Sequence, residues 1–189
     1  MTLYRARPED GVAWITGAST GIGRQFAMDL ASQGYTVAAT ARDQKGLDSL
    51  AADAEAMGRR IVPFLCDVTD EKNMDRTVAQ IESELGPIVL AVFNAGTYSP
   101  TYGERLETSN FVNTFRVNVF GVVFGLVPVA DRMRDRGFGQ VVLVGSVTSY
   151  FGLPSAAAYG ATKAALNSMA QSLKYDFDKL NIRIQVVNP

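Results

Sequence analysis

Residues 12–23, Val12-Ala13-Trp14-Ile15-Thr16-Gly17-Ala18-Ser19-Thr20-Gly21-Ile22-Gly23, carry a short apolar run directly into a glycine-rich turn, and a helix-length segment follows without a linker. Glycines at such a turn let the backbone bend sharply and approach a pyrophosphate. The N-terminus of the following helix then offers free N–H groups and the positive end of its dipole to the anion. The spacing is Gly-x-x-x-Gly-x-Gly, which differs from the commoner Gly-x-Gly-x-x-Gly fingerprint. No Gly-Lys-Ser/Thr follows, so the turn is not a P-loop. Taken alone, the motif is also compatible with simple tight packing of a strand against a helix.

The same alternation continues outward along the chain. Apolar runs at 12–16, 35–41, 61–65, 88–94, 140–145 and 182–187 read as strands. Segments 21–32, 44–57, 71–85, 109–136 and 156–179 read as helices. Several runs are apolar at almost every position, as in parallel strands covered on both faces. Gly34, Gly58, Gly86-Pro87 and Gly137 stand where helices should stop. No linker, repeat or low-complexity segment interrupts the pattern. The expected fold is α/β, a Rossmann-type doubly wound parallel sheet in three layers (α/β/α), with residues 1–189 as one domain.

Composition narrows the chemistry. The chain has 189 residues, 18 basic and 19 acidic, for a net charge of −1, and 47% of it is hydrophobic. This balance fits a globular protein and gives no electrostatic footprint for nucleic acid or an anionic membrane. The longest apolar stretch, 117–130, is interrupted by Asn118 and Pro128, so no membrane span is expected. There is no histidine, which removes Ser-His-Asp hydrolysis and His-ligated metals. The single cysteine, Cys66, removes internal disulfides, Fe–S clusters and Cys-rich zinc sites, and reads as core filler. No metal site is expected. Acid–base chemistry must come from Tyr, Lys, Asp or Glu, and a reducing cytoplasm is the default compartment.

The end of the second strand bears on which dinucleotide binds. It closes as Ala39-Thr40-Ala41-Arg42-Asp43. Asp43 lies at the distance expected of an acidic ribose ligand, but it equally suits the N-cap of the next helix. Arg42 can grip a 2′-phosphate bidentately, and Ala41 carries no charge to repel one, so NADP(H) is favoured and NAD(H) remains possible. Arg24 is either a helper at this site or a solvated residue on the first helix.

Tyr159 and Lys163, four residues apart in a helical segment, share one face. Ser146 stands at the end of the fifth strand, where an open α/β sheet has its ligand crevice. Asn118 interrupts an otherwise apolar helix, where an amide must be satisfied or serve a purpose. Blander readings make Ser146 a strand-end cap, with Thr148 or Ser149 as the working hydroxyl, and Asn118 a kink residue. Tyr98, Phe151 and Leu153 are candidates for a substrate pocket.

Together these motifs resemble the short-chain dehydrogenase/reductase family over the whole chain, in its ordinary single-domain branch. TGASTGIG at 16–23 resembles the family's cofactor turn, Asp67-Val68 its adenine-contacting pair, and Asn94-Ala95-Gly96 its NAG segment. Asn118, Ser146, Tyr159 and Lys163 match the catalytic tetrad in order and spacing. The resemblance implies cofactor contacts from Gly17, Ser19, Thr20, Gly21, Ile22, Gly23, Arg42, Asp67, Val68, Asn94, Ala95 and Gly96, with Tyr159 and Lys163. It implies hydride transfer between the nicotinamide and a carbonyl or secondary alcohol. Tyr159 would be the general acid or base, Lys163 the charge that favours its phenolate and a ribose ligand, and Ser146 the orienter of the substrate oxygen. Asn118 would hold a water on the proton path. The alternative is a nicotinamide-binding sensor or scaffold without turnover.

Family members continue beyond the Asn-Pro turn with a lid, a helix and a final strand, whereas this sequence stops at Asn188-Pro189. The expectation is therefore a fragment lacking the usual C-terminal strand and lid, with 182–187 as an edge strand. The native protein would be a homodimer or homotetramer paired through the long helices 109–136 and 156–179.

Overall fold

A computed structural model describes residues 3–189. Six strands form one parallel sheet: β1 (Val12–Thr16), β2 (Val37–Ala41), β3 (Ile61–Leu65), β4 (Ile88–Phe93), β5 (Gly139–Val144) and β6 (Ile182–Val187). Their order is β3-β2-β1-β4-β5-β6, so the topology reverses between β1 and β4, where a ligand crevice belongs. The crossovers are α1 (Gly21–Ser32), α2 (Gln44–Ala56), α3 (Glu71–Leu85), α4 (Thr108–Phe115), α5 (Gly121–Arg136) and α6 (Ala157–Lys179). This is the doubly wound α/β architecture expected from the strand–helix alternation.

Every residue of β1, β2 and β4 is buried, which explains why those runs are apolar at both parities. Alternate residues serve opposite faces. Val12 and Trp14 join the core under α3, α5 and α6, whereas Ala13 and Ile15 join the core under α1 and α2. Trp14 packs edge-on against Phe93, with ring centroids 5.5 Å apart. Its indole N–H donates to the Thr40 hydroxyl, which in turn donates to the Ile15 carbonyl, so no polar atom is stranded there. Gly125 brings α5 onto this pair. A Cβ at that position would meet Met74 Cε at 2.5 Å, Phe93 Cε1 at 2.6 Å and the Trp14 ring at 2.9 Å.

Several boundaries differ from those expected on sequence. β2 starts at Val37, because the Tyr35 N–H is already used on the Leu30 carbonyl at the end of α1. β4 stops at Phe93, and Asn94 turns away to bond the end of β1. The expected continuous helix 109–136 contains a π-turn at Arg116–Phe120, where the Gly121 N–H donates to the Arg116 carbonyl. The wider turn carries Asn118 inward to partners on two other segments. By length and composition this run, Thr108–Arg136, would qualify to cross a membrane, so Asn118 and Pro128 do not by themselves disqualify it. In the fold its buried residues, Val122, Leu126, Val129 and Met133, belong to the core beneath the sheet.

Candidate active site

The cradle is built where β1 hands over to α1. Gly17 has φ +68°, and a Cβ there would lie 2.7 Å from the Ala95 Cα. A Cβ at Gly23 would collide with Asn94 Nδ2 and the Gly17 carbonyl. Neither position admits a side chain, which is the physical content of the glycine spacing. Asn94 staples the turn: its Nδ2 donates to the Thr16 carbonyl at 3.1 Å and the Gly17 carbonyl at 3.0 Å. The N–H groups of Asn94 and Ala95 both donate to Thr16 Oγ1 at 3.1 Å. Thr20 at the N-cap of α1 makes no side-chain capping bond, and the first turn holds no acidic residue. The leading N–H groups of α1 are therefore available to an anion.

Above this turn lies a cleft of about 460 Å³. Its floor and near wall are Gly17, Ser19, Thr20, Gly21, Ile22 and Gly23, all from the phosphate-type turn. Arg42 and Asp43 border it at the end of β2, Asp67 and Val68 after β3, and Asn94, Ala95 and Gly96 after β4. Every residue that the sequence assigned to cofactor contact through these segments lines this one cleft. Ala41, Thr69 and Val117 also border it, none of them expected as cofactor contacts from the sequence. Thr69 stands two residues beyond Asp67, a spacing that signals an Asx turn.

Charged side chains gather at and around this cleft. Burial works to raise the Asp67 carboxyl, but hydrogen bonds from the Thr69 N–H and hydroxyl, both 2.9 Å, outweigh it. With the Arg42 and Arg116 guanidiniums nearby, they hold Asp67 below its usual range. Asp43 occupies the N-cap position of α2 without making a capping bond, so its carboxylate is not committed to the helix. Arg24 is committed. It donates to the Gly46 carbonyl at 3.2 Å, to Ser49 Oγ at 3.3 Å and to Asp53 Oδ2 at 2.5 Å, clamping α1 to α2. It is neither a cleft residue nor a freely solvated one. Cys66 is buried at the edge of the cleft, with its thiol pushed up by burial and its Sγ 3.4 Å from Met74 Sδ.

A second cleft of about 250 Å³ adjoins the first, sharing Ile22, Asn94 and Gly96 with it. Ser146, Tyr159, Lys163 and Tyr98 line it. The Lys163 Nζ is 5.5 Å from the centroid of the Tyr159 ring and donates to the Val144 carbonyl at 2.6 Å. Only 4% of Lys163 is exposed, and burial lowers its pKa to about 8. Ser146 lines this cleft, and its hydroxyl accepts from the Thr148 N–H at 3.2 Å, so the strand-end cap and the cleft residue are one and the same. Thr148, Ser149, Phe151 and Leu153 border a separate hollow against α6. Of the three apolar pocket candidates, only Tyr98 reaches the cleft that holds Tyr159.

Asn118 borders neither cleft. It is 1% exposed, and its amide is fully engaged. Oδ1 accepts from the Thr97 N–H at 2.7 Å, and Nδ2 donates to the Thr97 carbonyl at 3.0 Å and to Thr162 Oγ1 at 3.1 Å. Its side chain therefore ties the loop after β4 to α6.

Comparison with known proteins bears on the family and the fold. The sequence model described as short chain dehydrogenase matches residues 11–189. The 2,3-dihydro-2,3-dihydroxybenzoate dehydrogenase of Bacillus subtilis is 36% identical over 181 residues, which cover 96% of this chain and 69% of that protein. A short-chain dehydrogenase from Streptomyces avermitilis superposes with a TM-score of 0.88 at 31% identity, covering 98% of this chain and 66% of the other. A metagenomic short-chain oxidoreductase solved in complex with NADP superposes with a TM-score of 0.89 at 26% identity, covering 95% and 81%.

Proposed function

The chain belongs to the short-chain dehydrogenase/reductase family of oxidoreductases, and we propose that it interconverts a carbonyl and a secondary alcohol with NADP(H) in preference to NAD(H). The observation that carries this reading is the adjacency of two clefts. The one lined by Ser146, Tyr159 and Lys163 shares the walls Ile22, Asn94 and Gly96 with the one built on the glycine turn. When bound, the nicotinamide supplies or accepts the hydride.

The chain's own residues do the rest. The free N–H groups at the start of α1 and the bare backbone at Gly21, where a Cβ would meet nothing within 4 Å, leave room and dipole for the diphosphate. Arg42 is the group suited to a 2′-phosphate, and Asp67 and Val68 to the adenine side. Ser146 orients the substrate oxygen, and Tyr159 gives it a proton in reduction or takes one in oxidation. The Lys163 ammonium, near the Tyr159 ring, lowers the cost of the phenolate. Asn118 holds the loop and α6 at the spacing that this arrangement needs.

The test is NADPH consumption with a panel of ketones beside a fluorescence titration of NADPH. Turnover supports the reading, and tight binding without turnover on any ketone or alcohol overturns it. Exposed apolar side chains along 108–136, among them Val112, Phe120 and Val127, support a homodimer or homotetramer. Sedimentation equilibrium decides the oligomeric state.

A further inference from the structure

We propose that Tyr98 is a positioning residue for Tyr159, a latch between the loop after β4 and the start of α6; this rests on the reading of Tyr159 as the proton donor. The segment bearing Tyr98 is anchored on both sides. Before it, the Thr97 backbone is held by the Asn118 amide through both its N–H and its carbonyl. After it, the Thr101 N–H donates to the Ser155 carbonyl at 2.7 Å, and Thr101 bridges to Ala156.

Between these anchors the side chain packs on one ring and bonds one residue. Its ring meets the Tyr159 ring edge-on, with centroids 5.5 Å apart and planes at 86°. Its hydroxyl is 2.9 Å from Ser155 Oγ and also donates to the Ser155 carbonyl at 3.5 Å. Ser155 has φ +60°, in the left-handed region that a non-glycine residue occupies only where its surroundings hold it. It also precedes Tyr159 by about one helical turn, so the same phenol holds the entry to α6 and walls the ring one turn on.

The contacts close into a circuit. Asn118 bonds Thr97, the adjacent Tyr98 abuts Tyr159, the Tyr159 carbonyl accepts from Thr162 Oγ1 at 2.6 Å, and Thr162 accepts from Asn118. Backbone bonds alone fix where Tyr159 starts, but not which way its side chain swings about the first torsion, the one that carries the hydroxyl; the second torsion only turns the ring about the axis through that oxygen. Tyr98 supplies the aromatic edge that sets that swing. A displacement of about 1 Å at a reacting group costs on the order of 100-fold in rate, so the latch acts on turnover.

Three variants test this. Tyr98→Phe keeps the ring and drops the tether, Ser155→Gly drops the hydroxyl–hydroxyl part of the tether while accommodating the backbone, and Tyr98→Leu drops the ring contact and the tether together. Expected are a fall in kcat of about 10-fold or more in Tyr98→Leu and of a few-fold in each of the other two, with NADPH affinity within about two-fold. The Tyr98→Phe/Ser155→Gly double variant should be no slower than Tyr98→Phe alone, because Tyr98→Phe already removes every bond from the phenol to Ser155. A raised KM for ketone at unchanged kcat would make Tyr98 a substrate wall only and overturn the proposal, as would additive losses in the double variant. If the wild-type protein turns over nothing, the oxidoreductase reading fails separately. The latch is then read from NMR of ring-labelled tyrosine, with the Tyr159 signal assigned through Tyr159→Phe. That signal should move in Tyr98→Leu and change again in Tyr98→Phe and Ser155→Gly; an unmoved signal overturns the latch.

Discussion

Lys163 and Val144 are joined by a 2.6 Å hydrogen bond from the side-chain nitrogen to the last carbonyl of β5, and no other partner reaches that nitrogen among the described residues. A nearly buried amine with one neutral acceptor and no carboxylate keeps its charge only against desolvation. That is why its pKa falls from 10.5 to about 8. Its place beside the Tyr159 ring comes at a cost to the fold.

The cost has a sign that can be measured. The folded value of about 8 lies below the unfolded 10.5, so between them the unfolded chain binds more protons, and stability rises with pH. Below about pH 8 the penalty is fully present, about 3 kcal/mol at roughly 1.4 kcal/mol per pH unit. Ligand-free Lys163→Met should therefore melt no lower than wild type at pH 7. Wild type should gain on the variant between about pH 8 and pH 10.5. Cys66 and Tyr4, both with raised pKa values, are common to the two proteins and cancel. Denaturant titrations across that range check this, and a constant gap between the proteins refutes it.

Tyr159→Phe should remove the proton donor and keep the ring that Tyr98 packs against. Turnover is expected to fall by about 10²–10⁴ with NADPH affinity within a few-fold. Steady-state kinetics beside a binding titration measure both quantities. Turnover near wild type would mean that another group handles the proton.

Replacing Arg42 with alanine should weaken NADPH and leave NADH nearly unchanged, because the guanidinium borders the cleft with no ion-pair partner among the described residues. Ala41→Asp should add to this by repelling a 2′-phosphate and accepting from a 2′-hydroxyl. Kinetics with both cofactors decide the matter. A wild-type preference for NADH would assign the ribose to Asp43, whose carboxylate is free of the α2 cap.

Gly23→Ala should abolish dinucleotide binding. Its methyl would collide with Asn94 Nδ2 and the Gly17 carbonyl, two parts of the staple that shapes the turn. At least one of those hydrogen bonds must break, and the N–H groups of α1 shift with it. Calorimetric titration with NADPH reads the loss, and circular dichroism shows whether the sheet survives.

Much of this site is legible in the order of residues alone. Glycines that cannot carry a side chain, an uncharged strand end beside Arg42, and a Tyr and Lys on one helical face are local facts. Local spacing predicts them well. Asn118 is legible as a residue needing a purpose, but not the π-turn that gives it one, because the widening of the helix answers to Thr97 and Thr162 in other segments. Arg24 is undecidable from sequence for the same reason: its partners, Gly46, Ser49 and Asp53, all lie on α2.

The succession of strands and helices, the parallel sheet and the glycine turn are written in the order of residues alone. Each of these follows from hydrophobic period and glycine placement within a short window. Tertiary structure alone decided which polar side chains share a cleft. It drew Tyr98 onto Tyr159 across 61 positions of chain, left Phe151 and Leu153 in a neighbouring hollow, and seated Lys163 under the end of β5. Periodicity reports the face a segment buries. The partner waiting on that face is set by how the crossovers stack the layers, and no local pattern encodes that.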